Sequence, residues 1–129
     1  MIENCLNMNK KILIIDDDSR NIFALSAVLK AKGYATTSAT SMAEAFTILE
    51  QPTSVGIVLM DMMMPDMDGY EATAALKNDE RYGHLPVIAV TAQAMVGDRE
   101  KSLAAGADDY LSKPVDVDAL TDLLNRYLK

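Results

Sequence analysis

The chain has no tryptophan, one cysteine and no long apolar run. The last two shortages exclude a disulfide-stabilised domain and a membrane-spanning segment. Because Cys5 has no second cysteine to pair with, an internal disulfide cannot form, which favours a reducing compartment. No apolar stretch approaches the roughly 20 residues of a membrane-spanning helix, and residues 1–11 lack the apolar segment of a secretory signal. We therefore expect a soluble protein of the cytoplasm that does not enter a membrane.

Basic residues are scarce as well, since 12 Lys and Arg stand against 19 Asp and Glu and the formal net charge is −7. Direct nucleic-acid binding needs a concentrated positive surface, so the composition argues against a nucleic-acid partner. Apolar residues are plentiful, at 50% of 129 residues, which is enough for the full core of one domain. We predict a short tail over residues 1–9 and a single domain over residues 10–129.

Segments with strand-like and helix-like patterns alternate along the chain. The run from Val55 to Met60 is apolar except at Gly56, which is typical of a central strand covered on both faces. Ser41 and Glu44 form a capping box that opens a helix. The predicted strands are Lys11–Ile15, Tyr34–Ala39, Val55–Met60, Val87–Thr91 and Asp109–Ser112, and the predicted helices are Ser19–Lys32, Ser41–Gln51, Tyr70–Asp79, Val96–Ala105 and Asp116–Lys129.

Five strands alternating with five helices predict an α/β fold, in which right-handed crossovers leave few topologies. We expect a doubly wound, five-stranded parallel sheet with helices on both faces. The first helix should be capped by Asp18 or Ser19. Its predicted inward-facing side chains are Ile22, Phe23, Leu25, Val28 and Leu29.

Polar side chains stand where several of these strands end. Asp16 and Asp17 follow the first strand, Asp61 follows the third, Thr91 ends the fourth and Lys113 follows the fifth. The carboxyl ends of parallel strands lie along one edge of the sheet, where open α/β folds bind ligands. The sequence therefore predicts a functional site at this edge.

Short motifs at and after these strand ends occur in the order Ile14-Ile15-Asp16-Asp17, Asp61 with Met64-Pro65 and Asp68-Gly69, Thr91-Ala92, and Lys113-Pro114. Together they resemble the receiver domain of two-component response regulators, and the resemblance covers the chain from Lys10 to Lys129. It implies a flavodoxin-like fold with strand order 2-1-3-4-5. It also implies a cis bond between Lys113 and Pro114. The segment from Thr91 to Gly106 is most similar to receivers of hybrid sensor histidine kinases.

The three carboxylates of Asp16, Asp17 and Asp61 should repel one another, and a hard divalent cation would relieve that repulsion. Oxygen ligands suit Mg2+ or Mn2+, whereas zinc would call for a cluster of His or Cys. The resemblance assigns the metal to Asp17, Asp61 and the backbone carbonyl of Met63, with Asp16 acting largely through water. We therefore expect a magnesium or manganese site.

Asp61 is the candidate phosphoacceptor, because a carboxylate can accept a phosphoryl group while cations neutralise the charge on its oxygens. Lys113 can supply one of those cations, and the Thr91 hydroxyl can donate to another phosphoryl oxygen. The resemblance implies that Thr91 moves toward the phosphoryl group and that Tyr110 changes rotamer with it. We expect a phosphorylation switch that assists its own phosphorylation and slow dephosphorylation.

Two positions beside the site depart from the best-known chemotaxis pattern. Met63 stands two residues after Asp61 where a polar side chain is usual, and Gln93 stands two residues after Thr91 where an acid is usual. In the family these positions flank the path of the attacking water. The departures predict slower self-dephosphorylation than in receivers with a polar residue at position 63.

Three other functions fit part of the sequence. A receiver that only docks to a partner, without phosphorylation, is disfavoured by the intact acidic set. A haloacid dehalogenase-type phosphohydrolase could use Asp16, Asp18, Thr91, Lys113 and the acid pair Asp108-Asp109. In that type of enzyme the lysine precedes the acid pair, whereas in this chain Lys113 follows it. A flavodoxin-like flavin site needs Ser, Thr and Gly donors after the first strand, where this chain has three acids.

The resemblance implies two kinds of protein partner. A histidine kinase or a histidine phosphotransfer protein would donate the phosphoryl group. A downstream protein would bind the face formed by the helix from Val96, the strand ending at Ser112 and the helix from Asp116. The domain would act alone or as part of a hybrid kinase, as a monomer or as a phosphorylation-dependent dimer.

Overall fold

The computed structural model describes residues 10–51, 55–64, 67–92 and 97–128. All five predicted strands and all five predicted helices are present, and the predicted ends that fall on described residues differ from the observed ones by a few residues at most, whereas the predicted last residue, Lys129, lies outside the described residues. The predicted tail over residues 1–9 and the predicted helix start at Val96 lie outside the described residues. The strands are β1 (Lys11–Ile15), β2 (Ala35–Ala39), β3 (Val55–Asp61), β4 (Val87–Thr91) and β5 (Asp109–Ser112), and the helices are α1 (Ser19–Ala31), α2 (Met42–Glu50), α3 (Gly69–Asn78), α4 (Asp98–Ala104) and α5 (Val117–Tyr127).

The five strands form one sheet in the order β2-β1-β3-β4-β5. Every neighbouring pair is parallel, so each connection crosses from one end of the sheet to the other through a helix. The carboxyl ends of all five strands therefore lie along one edge. The predicted fold class, a doubly wound parallel sheet of flavodoxin-like order, is confirmed.

The core lies in two layers, one on each face of the sheet, because successive side chains of a strand point to opposite faces. Leu13, Val58 and Ala89 belong to the layer covered by α2 and α3. Ile14 and Leu59 belong to the layer covered by α1 and α5. The central strand β3 is buried from Ile57 to Asp61, as its continuous apolar run predicts.

Side-chain caps fix where the helices begin. Asp18 caps α1 by accepting a hydrogen bond from the Arg20 amide at 2.9 Å, and Asp116 caps α5 in the same way. The capping box of α2 is present, since the Glu44 amide donates to Ser41 Oγ at 3.2 Å. The Glu44 carboxylate accepts from the amide of Thr40, one residue before the cap. Local sequence therefore sets these helix ends.

The prediction that Phe23 faces inward is wrong, because its side chain is 76% exposed. Ile22, Leu25 and Leu29 lie along one side of α1 and pack on the sheet. Phe23 is turned about 100° from Ile22 around the helix, in the direction away from Leu25 and Leu29. The helix buries one stripe, and Phe23 lies outside it.

The segment from Asp61 to Gly69, predicted as a loop, contains a short antiparallel pair between residues Met63–Met64 and Met67–Asp68. Gly69 opens α3 directly against this segment. A Cβ atom at position 69 would lie 2.5 Å from the Cα of Met62, so only glycine allows this approach. The backbone that follows Asp61 is thus held close to the start of α3.

Lys77 joins three parts of the chain at the opposite end of the sheet. Its Nζ atom lies 2.9 Å from the carbonyl oxygen of Leu85 and 2.9 Å from Oδ2 of Asp108. The same Oδ2 accepts a hydrogen bond from the Val87 amide at 2.8 Å. This contact connects the end of α3 with the starts of β4 and β5.

None of the helices in the described part of the chain is long and apolar enough to span a membrane.

Candidate functional site

Alternation along the strands places three charged residues on the same side of the sheet edge. Asp61 ends β3 two residues after Leu59, which belongs to the layer covered by α1 and α5. Asp16 follows Ile14 by two residues, and Lys113 follows Leu111 by two, and both preceding residues belong to that layer. The side-chain period of two therefore brings Asp16, Asp61 and Lys113 together.

Lys113 lies between the two buried carboxylates. Its Nζ atom is 3.3 Å from Oδ2 of Asp16 and 3.4 Å from Oδ2 of Asp61. Its backbone amide donates to the carbonyl of Thr91 at 2.7 Å, which extends the pairing of β4 and β5 by one residue. The Lys113–Pro114 peptide bond is cis, as the resemblance implied.

Backbone amides hold the other oxygen of each buried carboxylate. Oδ1 of Asp16 accepts a hydrogen bond from the Asp18 amide at 2.9 Å, and Oδ1 of Asp61 accepts one from the Met63 amide at 3.0 Å. Asp16 and Asp61 are only 6% and 4% exposed. Each carboxylate is therefore fixed by one backbone donor and directs its second oxygen toward Lys113.

The acidic side chains also meet the requirements of a hard cation. Asp16, Asp17 and Asp61 each offer a carboxylate oxygen, and these oxygens lie within 4.8 Å of one another. Two oxygens bound to one Mg2+ at 2.0–2.1 Å lie at most about 4.2 Å apart, so small side-chain movements suffice. Asp17 is exposed while the other two are buried, so an ion can reach this set from solvent.

Burial and charge shift two pKa values in the site. The pKa of Asp61 is raised, chiefly because burial disfavours its charged form, and repulsion from Asp16 raises it further. The hydrogen bond from the Met63 amide and the charge of Lys113 lower this pKa but do not outweigh the other two effects. Burial by itself would lower the pKa of Lys113, but the Asp61 and Asp16 carboxylates outweigh it and raise that pKa. Lys113 therefore stays protonated beside the two buried carboxyl groups.

Thr91 and Tyr110 lie beside this group on the other face of the sheet. Thr91 is fully buried and is the last residue of β4, where it pairs with Ser112 of β5. Tyr110 precedes Ser112 by two residues, so Tyr110 and Thr91 share a face, and Tyr110 packs partly buried on the α2–α3 layer. The structure thus brings the two predicted switch residues to neighbouring strands. Gln93 lies outside the described residues.

The sequence did not predict a cavity of about 510 Å³ next to the site. Asp16, Asp61 and Lys113 form one part of its wall, and apolar side chains of the sheet and of α1 form most of the rest. Such a cavity depends on how far α1 stands from the loop after Lys113, and a periodic sequence pattern does not report that separation. The sequence analysis also missed the two backbone donors at Asp16 and Asp61, although each is a local contact with the amide two residues further on, which Asp side chains commonly make.

A parallel sheet of order 2-1-3-4-5 with its polar site at the carboxyl edge places this chain in the class of flavodoxin-like α/β domains. Within that class, residues 12–125 match the family model for the response regulator receiver domain. The chain belongs to the response regulator receiver domain family.

Individual relatives agree with this assignment. The polar-differentiation response regulator DivK of Brucella ovis is 36% identical over 121 residues, which cover 94% of this chain and 98% of that protein. A second similar protein is the receiver domain of a sensor histidine kinase from Pseudomonas aeruginosa, which was crystallised with a magnesium ion in its active site cleft. It is 35% identical to this chain with a TM-score of 0.81, and the match covers 93% of this chain and 98% of that one.

A third similar structure is a receiver domain bound to a signalling partner. It is the receiver domain of a Saccharomyces cerevisiae response regulator in complex with a histidine phosphotransfer protein, at 25% identity and a TM-score of 0.81. The match covers 92% of this chain and 88% of that one. The protein is a phosphoacceptor domain of two-component signalling, a signalling switch rather than a member of an enzyme family. Because the chain belongs to this family, the phosphohydrolase and flavin-binding alternatives are rejected.

Proposed function

We propose that Asp61 is the phosphoacceptor and that it receives its phosphoryl group from a histidine of a kinase or a phosphotransfer protein. The main support is the position of Asp61, which is buried at the end of the central strand with Lys113 Nζ 3.4 Å from its Oδ2. Asp16 has a similar contact, but it follows β1 and lies nearer the start of α1. Asp61 lies between β1 and β4, where groups from both neighbouring strands can surround a transferred phosphoryl group.

The transfer is a substitution at phosphorus. A carboxylate oxygen of Asp61 forms a new bond to phosphorus, the phosphorus–nitrogen bond of the donor breaks, and the electron pair returns to the histidine nitrogen. Lys113 neutralises charge on a phosphoryl oxygen, because its ammonium group already lies at the Asp61 carboxylate. The Thr91 hydroxyl donates to a second oxygen. These contacts are the means by which the chain assists its own phosphorylation.

The carboxylates of Asp16, Asp17 and Asp61, with the backbone carbonyl of Met63, would hold Mg2+ or, in its place, Mn2+. Three oxygen donors within 4.8 Å of one another support this ligand set, as does the magnesium ion in the similar Pseudomonas aeruginosa receiver. When bound, the ion adds positive charge beside the phosphoryl oxygens. Lys113 would remain necessary, because its Nζ atom lies 3.4 Å from Oδ2 of Asp61 and supplies a second positive charge there.

We further propose that Thr91 and Tyr110 carry the signal away from the site. Thr91 moves toward the phosphoryl group, and Tyr110 on the next strand follows because the two share a sheet face. The surface that changes is formed by α4, β5 and α5, where a downstream protein would bind. The proposal also includes a cytoplasmic location, which the single cysteine favours, and a protein that acts as a monomer or as a phosphorylation-dependent dimer.

The phosphoryl group should be long-lived, because Met63 presents an apolar side chain two residues after Asp61 and is 44% exposed. A thioether does not position an attacking water as an amide or carboxylate would. The Gln93 side chain would add little base strength at the other predicted position. Replacing Met63 with Asn should shorten the phosphoryl lifetime, and an unchanged lifetime would contradict this part of the proposal.

Intact-mass spectrometry tests the proposal. The protein is incubated with Mg2+ and phosphoramidate, a small donor whose phosphorus–nitrogen bond imitates phosphohistidine. We expect one added phosphoryl group, absent in Asp61→Asn and absent with EDTA. Retention of the adduct in Asp61→Asn would refute the assignment of the acceptor. No adduct from this donor or from a phosphorylated histidine phosphotransfer protein would favour a receiver that only docks.

A further inference from the structure

Met63 differs from the other methionines around the acceptor in its exposure to solvent. Among the methionine side chains that the structure describes, Met60, Met62 and Met64 are 0%, 3% and 7% exposed, and Met42 on α2 is partly buried. Met63 is 44% exposed, and only Phe23 is a more exposed large apolar side chain in the described ranges. Since oxidants reach exposed thioethers first, Met63 is the most reactive sulfur among the described methionine side chains near Asp61.

The backbone of Met63 is tied directly to the proposed acceptor. Its amide donates to Oδ1 of Asp61 at 3.0 Å, and the short strand pair of Met63–Met64 with Met67–Asp68 holds the segment. The Cβ atom of Met63 is therefore fixed in place relative to the Asp61 carboxylate, while its sulfur remains accessible. A chemical change at this sulfur therefore alters a residue whose own backbone amide binds the Asp61 carboxylate.

We propose that Met63 is an oxidation site at which conversion to the sulfoxide shortens the phosphoryl lifetime of Asp61. Hydrogen peroxide transfers one oxygen atom to the thioether: the oxygen–oxygen bond breaks, a sulfur–oxygen bond forms and water leaves. The sulfur loses two electrons, which the peroxide gains. A methionine sulfoxide reductase, using a thiol as reductant, reverses the change.

The effect on the acceptor follows from the polarity of the product. A thioether is a weak hydrogen-bond acceptor, whereas the sulfoxide oxygen is polar and accepts hydrogen bonds from water. Water held beside the acyl phosphate can attack phosphorus and release the Asp61 carboxylate. One added hydrogen bond to the attacking water corresponds to a rate increase of about threefold to tenfold. This inference rests on the proposed function, because it requires phosphorylation of Asp61.

The first step of the test measures selectivity. A Cys5→Ser protein, which lacks the peroxide-reactive thiol, is treated with hydrogen peroxide, and catalase then removes the excess. Peptide mass spectrometry follows the sulfoxide at each methionine with time. We expect Met63 to be oxidised before Met60, Met62 and Met64. Oxidation of Met63 no faster than of these buried methionines would overturn the inference.

The second step measures the phosphoryl lifetime by intact mass before and after oxidation, with each protein compared with its own untreated sample. The lifetime should fall about threefold or more in the Cys5→Ser protein and in a Met42→Leu control. It should not fall in Met63→Leu, and reductase treatment should restore it. An unchanged lifetime, or an equal fall in Met63→Leu, would overturn the inference. If untreated protein takes no phosphoryl group, the proposed function fails first, and the inference falls with it.

Discussion

The Nζ atom of Lys113 lies 3.4 Å from Oδ2 of Asp61, although the two residues are far apart in the sequence. The contact exists because Asp61 ends β3 and Lys113 directly follows β5, and the side chains two residues before them, Leu59 and Leu111, belong to the same core layer. Lys113 makes a second contact of 3.3 Å with Asp16, so one ammonium group serves two buried carboxylates. Lys113 therefore supplies the positive charge that the carboxyl groups of Asp16 and Asp61 share.

Replacing Lys113 with Ala should slow phosphorylation by about tenfold to a hundredfold, because one charge-assisted hydrogen bond to the phosphoryl group is lost. The rate is measured by intact mass against time with phosphoramidate and Mg2+. Lys30→Ala is the matched control, since Lys30 is an exposed lysine at the end of α1. Equal rates in Lys113→Ala and the unmodified protein would show that the contact with Asp61 has no part in transfer.

Replacing Asp61 with Asn should raise the melting temperature of the metal-free protein at neutral pH. The pKa of Asp61 is raised in the folded protein, so its contribution to stability is complete below the unfolded pKa and is lost as pH rises through the folded pKa. At neutral pH the charged carboxylate therefore disfavours folding, and the neutral amide removes that cost. The gain should shrink as the pH falls through the raised pKa of Asp61, and it should be absent below about 4, where the carboxyl group is protonated in the unfolded chain as well.

Thermal melts of both proteins across this pH range, in EDTA, provide the measurement. Asp118→Asn on the exposed start of α5 serves as a control for the loss of one negative charge. A melting temperature that is lower for Asp61→Asn than for the unmodified protein at neutral pH would contradict the sign of the shift.

Replacing Gly69 with Ala should destabilise the protein by about 1–3 kcal/mol, because its Cβ would lie 2.5 Å from the Cα of Met62. The backbone after Asp61 would have to move, so phosphorylation should slow as well. Gly56→Ala is the control, because a Cβ there meets side-chain atoms of Leu128 and Lys10, which can give way. Urea denaturation of the two variants should separate them, and similar stabilities would refute the role of the close contact.

Replacing Lys77 with Met should destabilise the fold by about 1–3 kcal/mol, since Asp108 and the Leu85 carbonyl lose a shared, partly buried donor. Phosphorylation of the folded protein should continue, because Lys77 lies at the end of the sheet away from Asp61. Arg20→Ala removes a surface ion pair with Asp18, in which the Arg20 side chain is 91% exposed, and should change stability little. Loss of phosphorylation without loss of stability in Lys77→Met would contradict this account.

The sequence predicted what periodicity and local chemistry determine. Alternation along β1, β3 and β5 was enough to bring Asp16, Asp61 and Lys113 to one edge, and the capping residues Ser41 and Asp116 marked two helix starts. Strand order and the cis bond at Lys113 came from the family resemblance and not from the pattern.

The features that were missed depend on distances between elements. The exposure of Phe23 follows from which stripe of α1 contacts the sheet, and the cavity beside Lys113 follows from where that helix stands. The close contact of Gly69 with Met62 needs three-dimensional coordinates, because no composition signal distinguishes this glycine from one in an ordinary turn. The exposure of Met63 also depends on three-dimensional packing, because the nearby Met60 and Met62 are buried although they are the same residue type.

The acceptor itself can be located by chemical mapping. The protein is phosphorylated with phosphoramidate and Mg2+ and then reduced with sodium borohydride, which converts an aspartyl phosphate into homoserine. Peptide mass spectrometry then reads the modified position. We predict homoserine at position 61 and none at positions 16 or 17. Homoserine at position 16 or 17, with position 61 unmodified, would contradict the proposal that Asp61 accepts the phosphoryl group.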